Sequence, residues 1–526
     1  MMTNPSNSTL SVAAILKESA ERTPDKIAIV VGGSEVTYAD LWNQTRHYAG
    51  ALAGQGVKEG DAVAVLIPNV ADFPRVYFAI LSLGAIVVPI HALLKGDEIA
   101  YVLKDSKSTM LICAAPLLGE GAKGAKQAEV PVLSVLSPEP IEGIEQLEKL
   151  AAVAEPIRTY LPMAPDATAT ILYTSGTTGK PKGAMGSHFA LVEQTSVLLL
   201  NTFDMVPEDV IFGGLPLFHT FGQTVTLNTG FRATAKIVLL PKFDGETALR
   251  TLIDNECTIM MGVPTMYIAL LEAAKTIKER PRLRFAISGG SALPLAVIER
   301  FKEEFGVPIY EGYGLTETSP VASFNHVGRT PVAGSIGTPI WGVEVEIANA
   351  EVEGSIELMP TDELGEIVIR GHNLMKGYLN LPEETAKAIV DGWFRTGDLG
   401  TKDANGYLWI VDRKKDMILR NGYNVYPREV EEVLTAHPAV STAAVFGTTH
   451  ETHGQEIMAV VVLAPGATVG DTELYDYAKE KLAAYKYPRR VEIVQTLPLG
   501  PSGKVLKREL IVQYEAEAEA ESAVTA

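Results

Sequence analysis

The chain has 526 residues, of which 47% are hydrophobic, and its formal net charge at pH 7 is −19. A chain of this length exceeds what a single hydrophobic core usually supports, so we expect at least two domains. The acidic balance argues against nucleic acid as a partner, because proteins that bind nucleic acid neutralise its phosphates with lysine and arginine. It also means that any anionic ligand must be met by local lysines and arginines.

No stretch of the sequence predicts a membrane span or a secretory signal. The most apolar stretch, residues 78–94, is broken by polar residues, glycine and proline, and it falls short of the ~20 apolar residues that a spanning helix needs. It predicts a buried helix followed by a core strand. The N-terminus has no positive segment followed by an apolar one. Cys113 and Cys257 both have apolar neighbours, which indicates buried free thiols of a cytoplasmic protein rather than a nucleophile.

The first half of the chain alternates short β-rich runs with helical patterns. The β-rich runs predict strands at 26–31, 61–67, 110–114 and 169–172. Apolar residues that recur at helical spacing from Leu41 to Leu52 predict a helix between the first two strands. This alternation is typical of α/β layers with largely parallel sheets.

The second half becomes more β-rich from residue 337 to 369 and then changes again at a charged segment, residues 412–416. Alternation and apolar runs predict strands at 343–347, 365–371, 440–446 and 456–463. With a helix expected at 430–434, the part beyond the charged segment is long enough for a small domain. The Ala/Glu-rich tail from Glu515 is interpreted as a frayed helix or a disordered segment.

The most informative motif is the segment Tyr-Thr-Ser-Gly-Thr-Thr-Gly-Lys-Pro-Lys-Gly at residues 173–183. It follows a predicted strand, and its backbone N–H groups, hydroxyls and ammonium groups can turn toward one anion, which predicts a phosphate-binding loop. It is not the loop of the common nucleotide hydrolases, which requires G-x-x-x-x-G-K-[ST]. Here Pro181 follows Lys180, and Thr174 stands where the first glycine would be.

Four further clusters could carry chemistry, and they lie at 310–318, 393–398, 412–416 and 501–507. In the first cluster, alternating glycines would let a flat group approach the backbone, Tyr313 could stack on a base, and Glu317 is a hard oxygen ligand suited to Mg²⁺. In the second, Asp398 after a tight turn suits the paired hydroxyls of a ribose. Taken singly, each has a plainer interpretation: a glycine-rich turn, an ordinary Asp turn, a solvated charged linker and a surface lysine.

In this order, the five motifs resemble those of the adenylate-forming superfamily of acyl-CoA synthetases, luciferases and peptide-synthetase adenylation domains, and the resemblance covers residues 16–510. It implies an α/β fold with a large N-terminal domain of stacked α/β sheets plus a distorted β-barrel, at residues 1–412. A small mobile α+β C-terminal lid domain is expected at 413–526. The resemblance also implies ATP, Mg²⁺ and CoA as ligands, and it leaves a homodimer open.

The resemblance assigns roles residue by residue. It implies nucleotide contacts at Thr174, Ser175, Gly176, Thr177, Thr178, Gly179, Lys180, Gly289, Gly290, Ser291, Glu311, Gly312, Tyr313, Gly314, Thr316, Asp398 and Arg413. Thr174 and Glu317 match the positions that hold Mg²⁺, Lys504 matches the catalytic lysine of adenylation, and Lys415 matches the hinge of the small domain. One active site cannot present Lys504 and a thiol tunnel at once, so a rotation about the hinge is expected between the two steps.

The acyl pocket is assigned in the same way. The family segment at 216–222 forms one wall, and the residues that match pocket positions are His219, Phe221, Gly289, Gly312, Pro320 and Val321. His219 is expected at the carboxyl end with a catalytic role, whereas without the resemblance it would be interpreted as a hydrogen-bonded core histidine. No acidic residue occurs from residue 215 through 232, so the ammonium of an amino acid would be buried unpaired, which is costly. Amino acids are therefore disfavoured.

These residues predict an apolar slot, which fits an alkyl chain or an aryl-propenoate. The segments at 414–431 and 482–488 look more like the fatty-acyl branch, and Leu419 stands where luciferases and plant aryl ligases often carry lysine. The chain departs from many fatty-acyl relatives at Asn421-Gly422, where they have two glycines. We expect an ATP-dependent ligase that joins medium- to long-chain fatty acids to CoA. The alternatives are an aryl-acid, 4-coumarate-like CoA ligase and, less favoured because no insertion is evident, a fatty acyl-AMP ligase.

Overall fold

The computed structural model describes residues 8–174, 180–450, 452–500 and 505–525, with side chains described up to residue 516. The described helices are α1 (Ala14–Arg22), α2 (Tyr38–Gly54), α3 (Asp72–Ser82), α4 (Gly96–Asp105), α5 (Leu118–Ala128), α6 (Leu147–Val153), α7 (His188–Val197), α8 (Thr229–Arg232), α9 (Gly245–Asp254), α10 (Pro264–Ala273), α11 (Leu295–Phe305), α12 (Pro382–Ala388), α13 (Pro427–Thr435), α14 (Asp471–Lys481) and α15 (Lys507–Thr525). Short 3₁₀ turns occur at Ala115–Leu117 and Thr316–Thr318, and π-helical segments at Leu198–Thr202 and Phe221–Asn228.

The strands fall into four groups along the chain. The first group is β1 (Ile27–Val31), β2 (Ser34–Thr37), β3 (Ala62–Leu66), β4 (Ile86–Pro89), β5 (Met110–Ala114), β6 (Val132–Val135), β7 (Glu145–Gln146), β8 (Thr168–Thr174) and β9 (Lys182–Ser187). The second is β10 (Val210–Gly213), β11 (Lys236–Leu239), β12 (Ile259–Gly262), β13 (Phe285–Ser288), β14 (Ile309–Gly314), β15 (Val321–Phe324) and β16 (Thr338–Pro339). The third is β17 (Val343–Ala348), β18 (Gly365–Gly371), β19 (Ile389–Val390), β20 (Trp393–Lys402) and β21 (Leu408–Arg413). The fourth is β22 (Ile418–Arg420), β23 (Tyr423–Val425), β24 (Val440–His450), β25 (Gly454–Leu463) and β26 (Arg490–Val494).

Two largely parallel sheets make up most of the large N-terminal part. One has the strand order β7-β6-β5-β3-β4-β8-β9, and the other β16-β15-β14-β13-β12-β10-β11-β1-β2. The central pairs are parallel and antiparallel pairs occur at the edges, such as β8 with β9 and β14 with β15. Strands β3 and β5 are buried along their whole length, as expected where helices cover both faces of a sheet. One large apolar cluster extends through both sheets.

The third group of strands forms an antiparallel sheet that corresponds to the predicted barrel. Its order is β17-β18-β20-β19, and β21 pairs with β20. In β17 the apolar residues are buried and the residues between them face outward for most of the strand, as the alternation in the sequence predicted. The α/β fold class of the prediction is confirmed.

The fourth group forms a separate sheet, ordered β23-β22-β25-β24 with β26 parallel to β25. Helices α13 and α14 pack on it, and its apolar clusters contain only residues beyond 417. The predicted boundary after residue 412 falls one residue before the end of β21, since Arg413 still pairs with Asp398 on β20. The boundary of the two domains stays a prediction.

Most predicted elements are present with shifted ends. The apolar stretch 78–94 contains the end of α3 followed by β4, as expected, and β5 and β18 have the predicted bounds. Cys113 and Cys257 are buried free cysteines, and burial raises the pKa of both thiols to about 12, which excludes a reactive thiolate at neutral pH. Among the described helices, none combines the length and the apolar character needed to cross a membrane.

Candidate active site

The predicted phosphate loop joins two antiparallel neighbours, β8 and β9, whose last pair is Thr174 with Lys182. It therefore closes a hairpin, whereas the loop of the common nucleotide hydrolases leads from a strand into a helix. The stem is held by α4, because the Tyr101 hydroxyl donates to the Pro181 carbonyl at 2.9 Å and the Lys180 ammonium lies 5.4 Å from the centroid of the Tyr101 ring. Thr174 is half-buried at the end of β8. The predicted contacts Ser175, Gly176, Thr177, Thr178 and Gly179 lie outside the described residues.

The two predicted adenine segments lie at one edge of the larger sheet. Strands β13 and β14 are parallel neighbours, so the segment 289–291 that follows β13 and the segment 311–317 at the end of β14 meet at their carboxyl ends. Open α/β sheets commonly bind ligands at this edge. The ring of Phe221 lies 3.3 Å from the position that a Cβ of Gly289 would take, and the Gly312 carbonyl lies 3.7 Å from it. Three predicted pocket residues are thus brought together.

Backbone conformation and close neighbours explain why glycine occupies several positions of these segments. Gly290 has a φ of +83°, where side chains are strained. A Cβ on Gly312 would lie 2.4 Å from Cδ2 of Phe324, and a Cβ on Gly314 would lie 1.8 Å from the Pro320 carbonyl oxygen. The space where a Cβ would project from Gly312 and Gly314 is filled by β15 and the turn before it. The approach of a flat group to this backbone stays a prediction.

Asp398 is the centre of a buried polar cluster. Its carboxylate, only 3% exposed, accepts a hydrogen bond from the Tyr313 hydroxyl and lies 2.9 Å from the Nε of Arg413. Burial, followed by the negative charge of Asp398, raises the pKa of Tyr313 well above its usual range, so this phenol stays a donor. Tyr313 is thus engaged with Asp398 through its hydroxyl. A carboxylate offers about four lone-pair sites, which leaves acceptor capacity on Asp398 for a ribose.

Two further carboxylates of this region are buried. Glu317, in the Thr316–Thr318 turn, accepts from the Tyr378 hydroxyl at 2.9 Å, and burial raises its pKa. Glu311, on β14, accepts from the backbone N–H of Gly334 at 3.2 Å, and burial raises its pKa to about 7. A carboxylate held in a poorly solvated site gains most from a nearby cation, so the chemistry of Glu317 fits a Mg²⁺ ligand.

The wall segment after β10 is held in place by side-chain hydrogen bonds. The side chain of Asn69 donates to the carbonyls of Gly213 and Leu215 and accepts from the Leu217 N–H. The Phe221 N–H donates to Nδ1 of His219 at 3.2 Å, which places the proton of the neutral imidazole on Nε2. The π-helical segment Phe221–Asn228 that follows is buried throughout, and such segments are frequent at functional sites.

Pro320 and Val321 lie directly beside the predicted metal turn. The Pro320 carbonyl accepts from the Leu315 N–H at 3.1 Å and from the Thr318 hydroxyl, and Val321 begins β15 and is buried. The structure therefore brings the turn that carries Glu317 and this part of the predicted pocket into one folded unit.

The predicted hinge residue Lys415 lies in the short link between β21 and β22, and burial lowers its pKa. Next to the link, the Asp412 carboxylate accepts from the Arg428 N–H at 2.9 Å, and the Arg428 guanidinium donates to the Ile410 carbonyl at 2.8 Å. These bonds join the first helix of the small sheet to the last strand of the preceding one. Lys504 lies outside the described residues.

The departure at Asn421-Gly422 has a simple backbone explanation. Asn421 has a φ of +51° and Gly422 a φ of +78°, and they connect β22 to β23 as a two-residue hairpin loop. Such loops require positive φ at both positions, and Asn-Gly is their preferred sequence. The hairpin is therefore compatible with either residue pair.

In the described part of the chain, one group of three His, Cys, Asp or Glu side chains brings its ligand atoms within 4.8 Å of one another: His450, His453 and Glu456. His450 Nδ1 accepts the backbone N–H groups of Thr452 and His453, which leaves the proton on Nε2 and no lone pair for a metal. Arg420 forms two hydrogen bonds with Glu456. We therefore do not interpret this cluster as a metal centre.

Sequence reasoning missed several residues that support the site. Tyr378 contacts Glu317 across 61 positions of sequence, Asn69 holds the wall segment across 144 to 148 positions, and Tyr101 holds the phosphate loop. None belongs to a glycine-rich or charged motif. A side chain whose hydrogen-bond partner is remote in sequence leaves no local signal.

Buried carboxylates at the carboxyl edge of parallel strands, close to the strands β8 and β9 that flank the hydroxyl- and lysine-rich segment, fit an enzyme that binds a nucleotide. Residues 16–379 match the family model described as AMP-binding enzyme, and residues 429–504 match the AMP-binding enzyme C-terminal domain. The chain belongs to the AMP-binding enzyme family, the adenylate-forming superfamily. It is an AMP-forming acid–CoA ligase whose substrates are a small-molecule acid, ATP and CoA.

Similar proteins cover almost the whole chain. A long-chain-fatty-acid–CoA ligase of Bacillus subtilis is 34% identical over 95% of this chain and 94% of its own length. A feruloyl-CoA synthase of an Amycolatopsis species is 34% identical over 93% of this chain and 96% of its own length. The crystal structure of ATP-bound MatB from Rhodopseudomonas palustris superposes with a TM-score of 0.87 at 31% identity, over 97% of this chain and 99% of that one.

Proposed function

We propose that the chain is an ATP-dependent fatty acid–CoA ligase for medium- to long-chain acids. The observation that carries this proposal is the pocket wall. The buried segment Phe221–Asn228 and the neighbouring segments contain no acidic residue from 215 through 232, and the ring of Phe221 lies against Gly289. An apolar slot without a countercharge suits an alkyl chain whose only charged group is its carboxylate.

In the first step, a carboxylate oxygen of the acid forms a bond to the α-phosphorus of ATP and pyrophosphate leaves. Thr174 and Glu317 would hold Mg²⁺, which when bound neutralises charge on the phosphates. Asp398 would accept from the ribose hydroxyls, with Arg413 oriented beside it by their ion pair. Lys504, by the resemblance of its segment, would stabilise the charge at the α-phosphate.

The other predicted contacts have supporting roles in this proposal. The backbone around Gly290, Ser291 and Thr316 would line the adenine, and Lys180 would face the departing pyrophosphate. His219, by the resemblance of its segment, would lie at the carboxyl end of the bound acid. Such contacts lower the barrier mainly by positioning and by electrostatics.

In the second step, the sulfur of CoA bonds to the acyl carbon, the bond from that carbon to AMP breaks, and the thiol proton is released. We propose that the small domain rotates about Lys415 between the steps. Asp412 and Arg428 would release the bonds that now join the two parts. We also propose a cytoplasmic location, which the two buried free cysteines support.

A second candidate is an aryl-acid CoA ligase. A feruloyl-CoA synthase is as similar in identity as the fatty-acid ligase. Among the described residues, the π-helical segment Phe221–Asn228 also holds buried polar atoms that lack a hydrogen-bond partner, on Gln223 and Thr224. A ring hydroxyl could donate to the Gln223 amide oxygen, and a hydroxyl or methoxyl oxygen could accept from the Thr224 hydroxyl, whereas an alkyl chain could do neither.

The test measures pyrophosphate release with and without CoA for octanoate, dodecanoate, palmitate, ferulate and benzoate, each over a range of concentrations. We expect CoA-dependent thioester formation with kcat/KM highest for a fatty acid. The proposal fails if an aryl acid exceeds every fatty acid, or if acyl-adenylate accumulates and no fatty acyl-CoA forms. The ratio of kcat/KM values is the measure of discrimination between two acids.

A further inference from the structure

An irregular segment, residues 375–379, forms hydrogen bonds both with the Glu317 turn and with β9, the strand after the phosphate loop. At one end, the Met375 N–H donates to the Glu317 carbonyl at 2.8 Å. At the other end, the Leu379 N–H donates to the Gly183 carbonyl at 2.8 Å, and Tyr378 pairs with Ala184 as an antiparallel bridge. The segment thus forms an isolated β-bridge with β9 and also contacts the turn with the predicted metal ligand.

Tyr378 uses this position to reach the Glu317 side chain. Its hydroxyl donates to Oε1 of Glu317 at 2.9 Å, and Glu317 is only 9% exposed. A buried carboxylate with one bonded oxygen cannot rotate freely, because rotation would break the bond without offering water in exchange. Oε1 is thereby held by the tyrosine, and the carboxylate, which offers about four lone-pair sites, keeps acceptor capacity for a cation.

The ring of Tyr378 is held in turn by charged residues of the same region. The ammonium of Lys182, on β9, lies 5.2 Å from the centroid of the Tyr378 ring. Lys182 also forms an ion pair with Glu384, which pairs with Lys387 at 3.0 Å. The charge of Lys182 is therefore directed toward Glu384 and the ring, two residues beyond Lys180 of the phosphate loop.

We propose that Tyr378 is a positioning residue that orients the Glu317 carboxylate toward the divalent cation and couples that orientation to the strand following the phosphate loop. This inference rests on the proposed role of Glu317 as a metal ligand and does not depend on which acid is the substrate. Groups that orient metal ligands by hydrogen bonds typically change metal affinity by about tenfold or more when they are removed.

The test uses Tyr378→Phe, which removes the hydroxyl and keeps the ring beside Lys182. The matched control is Tyr48→Phe, because the Tyr48 hydroxyl donates to the buried carboxylate of Asp72 at 2.8 Å, between α2 and α3. The full-length protein is titrated with Mn²⁺ in the presence of ATP and without acid, and bound Mn²⁺ is read by electron paramagnetic resonance. Thermal unfolding without ligands is measured in parallel.

We expect Tyr378→Phe to weaken Mn²⁺ binding about tenfold and to raise the Mg²⁺ concentration needed for half-maximal pyrophosphate release, with the KM for the acid unchanged. Tyr48→Phe is expected to lower thermal stability and leave Mn²⁺ affinity within twofold of the wild type. Equal Mn²⁺ affinity for Tyr378→Phe and the wild type overturns the inference.

A third variant separates this inference from its premise. Glu317→Gln is expected to weaken Mn²⁺ binding more than Tyr378→Phe does. If Glu317→Gln weakens binding and Tyr378→Phe does not, the positioning role fails while Glu317 remains the metal ligand. If neither variant changes Mn²⁺ affinity, both the inference and the assignment of Glu317 fail, and the acid-specificity assay is unaffected by either result.

Discussion

Replacement of Asp398 by Asn tests the ribose site, because one carboxylate oxygen becomes an amide NH₂ group and the negative charge is lost. The Asp398 carboxylate is 3% exposed, accepts from Tyr313, and pairs with Arg413 at 2.9 Å. The amide keeps the shape but removes the charge. The Arg413 side chain is 35% exposed, so water compensates part of the loss. Hydrogen bonds to charged groups contribute about 1.5–3 kcal/mol, and we expect the free energy of unfolding to fall by about 2 kcal/mol.

We also expect Asp398→Asn to lower kcat/KM for ATP, an effect that the loss of stability alone would not produce. An anionic acceptor of two ribose hydroxyls becomes a neutral amide, and a loss of about 1.4 kcal/mol in binding corresponds to a factor of ten. We therefore expect kcat/KM for ATP to fall by about tenfold to a hundredfold, with the KM for the acid changed less than threefold. Initial rates of pyrophosphate release at varied ATP, under saturating acid and CoA, measure this.

The control for this experiment is Asp209→Asn. The Asp209 side chain is 1% exposed and pairs with the Arg284 guanidinium at 2.6 and 2.7 Å, at the start of β10. Asp209→Asn removes a buried Asp–Arg pair of the same kind, and we expect it to destabilise the fold without changing kcat/KM for ATP. The reasoning is refuted if Asp398→Asn binds ATP as the wild type does, or if both variants lose kcat/KM to the same degree.

Three further changes test other parts of the structure. The raised pKa of Glu311, about 7, means that the folded state binds more protons than the unfolded one, so its contribution to stability is lost as pH rises from about 4.5 to about 7. Glu311→Gln should therefore flatten the pH dependence of urea unfolding between pH 5 and 8 by about 2–3 kcal/mol, and an unchanged slope contradicts it. Gly312→Ala should lower the free energy of unfolding in urea by about 1–3 kcal/mol, because the new methyl group meets the Phe324 ring. The control Gly54→Ala in α2, with open space around it, should be neutral or stabilising in the same urea assay. Gly289→Leu should reduce kcat/KM for palmitate relative to butyrate by at least about tenfold, and equal losses for both acids would place Gly289 outside the acyl slot.

The sequence predicted the local elements well, because strands and helices leave periodic patterns. The apolar runs became β3, β5 and β8 with ends shifted by one or two residues at most, and the alternating run at 343–347 became β17. Elements of this kind depend on neighbours within a few positions. The order of the motifs was sufficient to predict the family, which the matches over 16–379 and 429–504 confirm.

The contacts that complete the site could not be predicted from local patterns. The pairing of β8 with β9 is antiparallel, which a strand followed by a glycine-rich loop does not reveal. The neighbours that require glycine at 312 and 314, Phe324 and the Pro320 carbonyl, are known only once β15 has folded back. The bond from Tyr378 to Glu317 likewise depends on the isolated bridge that Tyr378 forms with Ala184 on β9.

Electrostatic environment is the other quantity that the sequence did not supply. Glu311 and Glu317 are both carboxylates in one motif, and burial raises the pKa of each, because depth in the fold rather than residue type sets the desolvation. Glu311 receives a backbone N–H from Gly334, and Glu317 receives the hydroxyl of Tyr378. These different surroundings fit the roles proposed for the two carboxylates, Glu311 beside the nucleotide base and Glu317 at the metal.

The most direct test of the proposed acid specificity is a competition between acids in a single reaction mixture. The enzyme, ATP, Mg²⁺ and limiting CoA are incubated with equal concentrations of octanoate, dodecanoate, palmitate, ferulate and benzoate, and the thioesters are quantified by mass spectrometry at low conversion. Product ratios then report the ratios of kcat/KM. We expect fatty acyl-CoA thioesters to exceed aryl thioesters by at least about tenfold, as the proposed alkyl-binding slot would produce. A mixture dominated by feruloyl-CoA or benzoyl-CoA would contradict the proposed function.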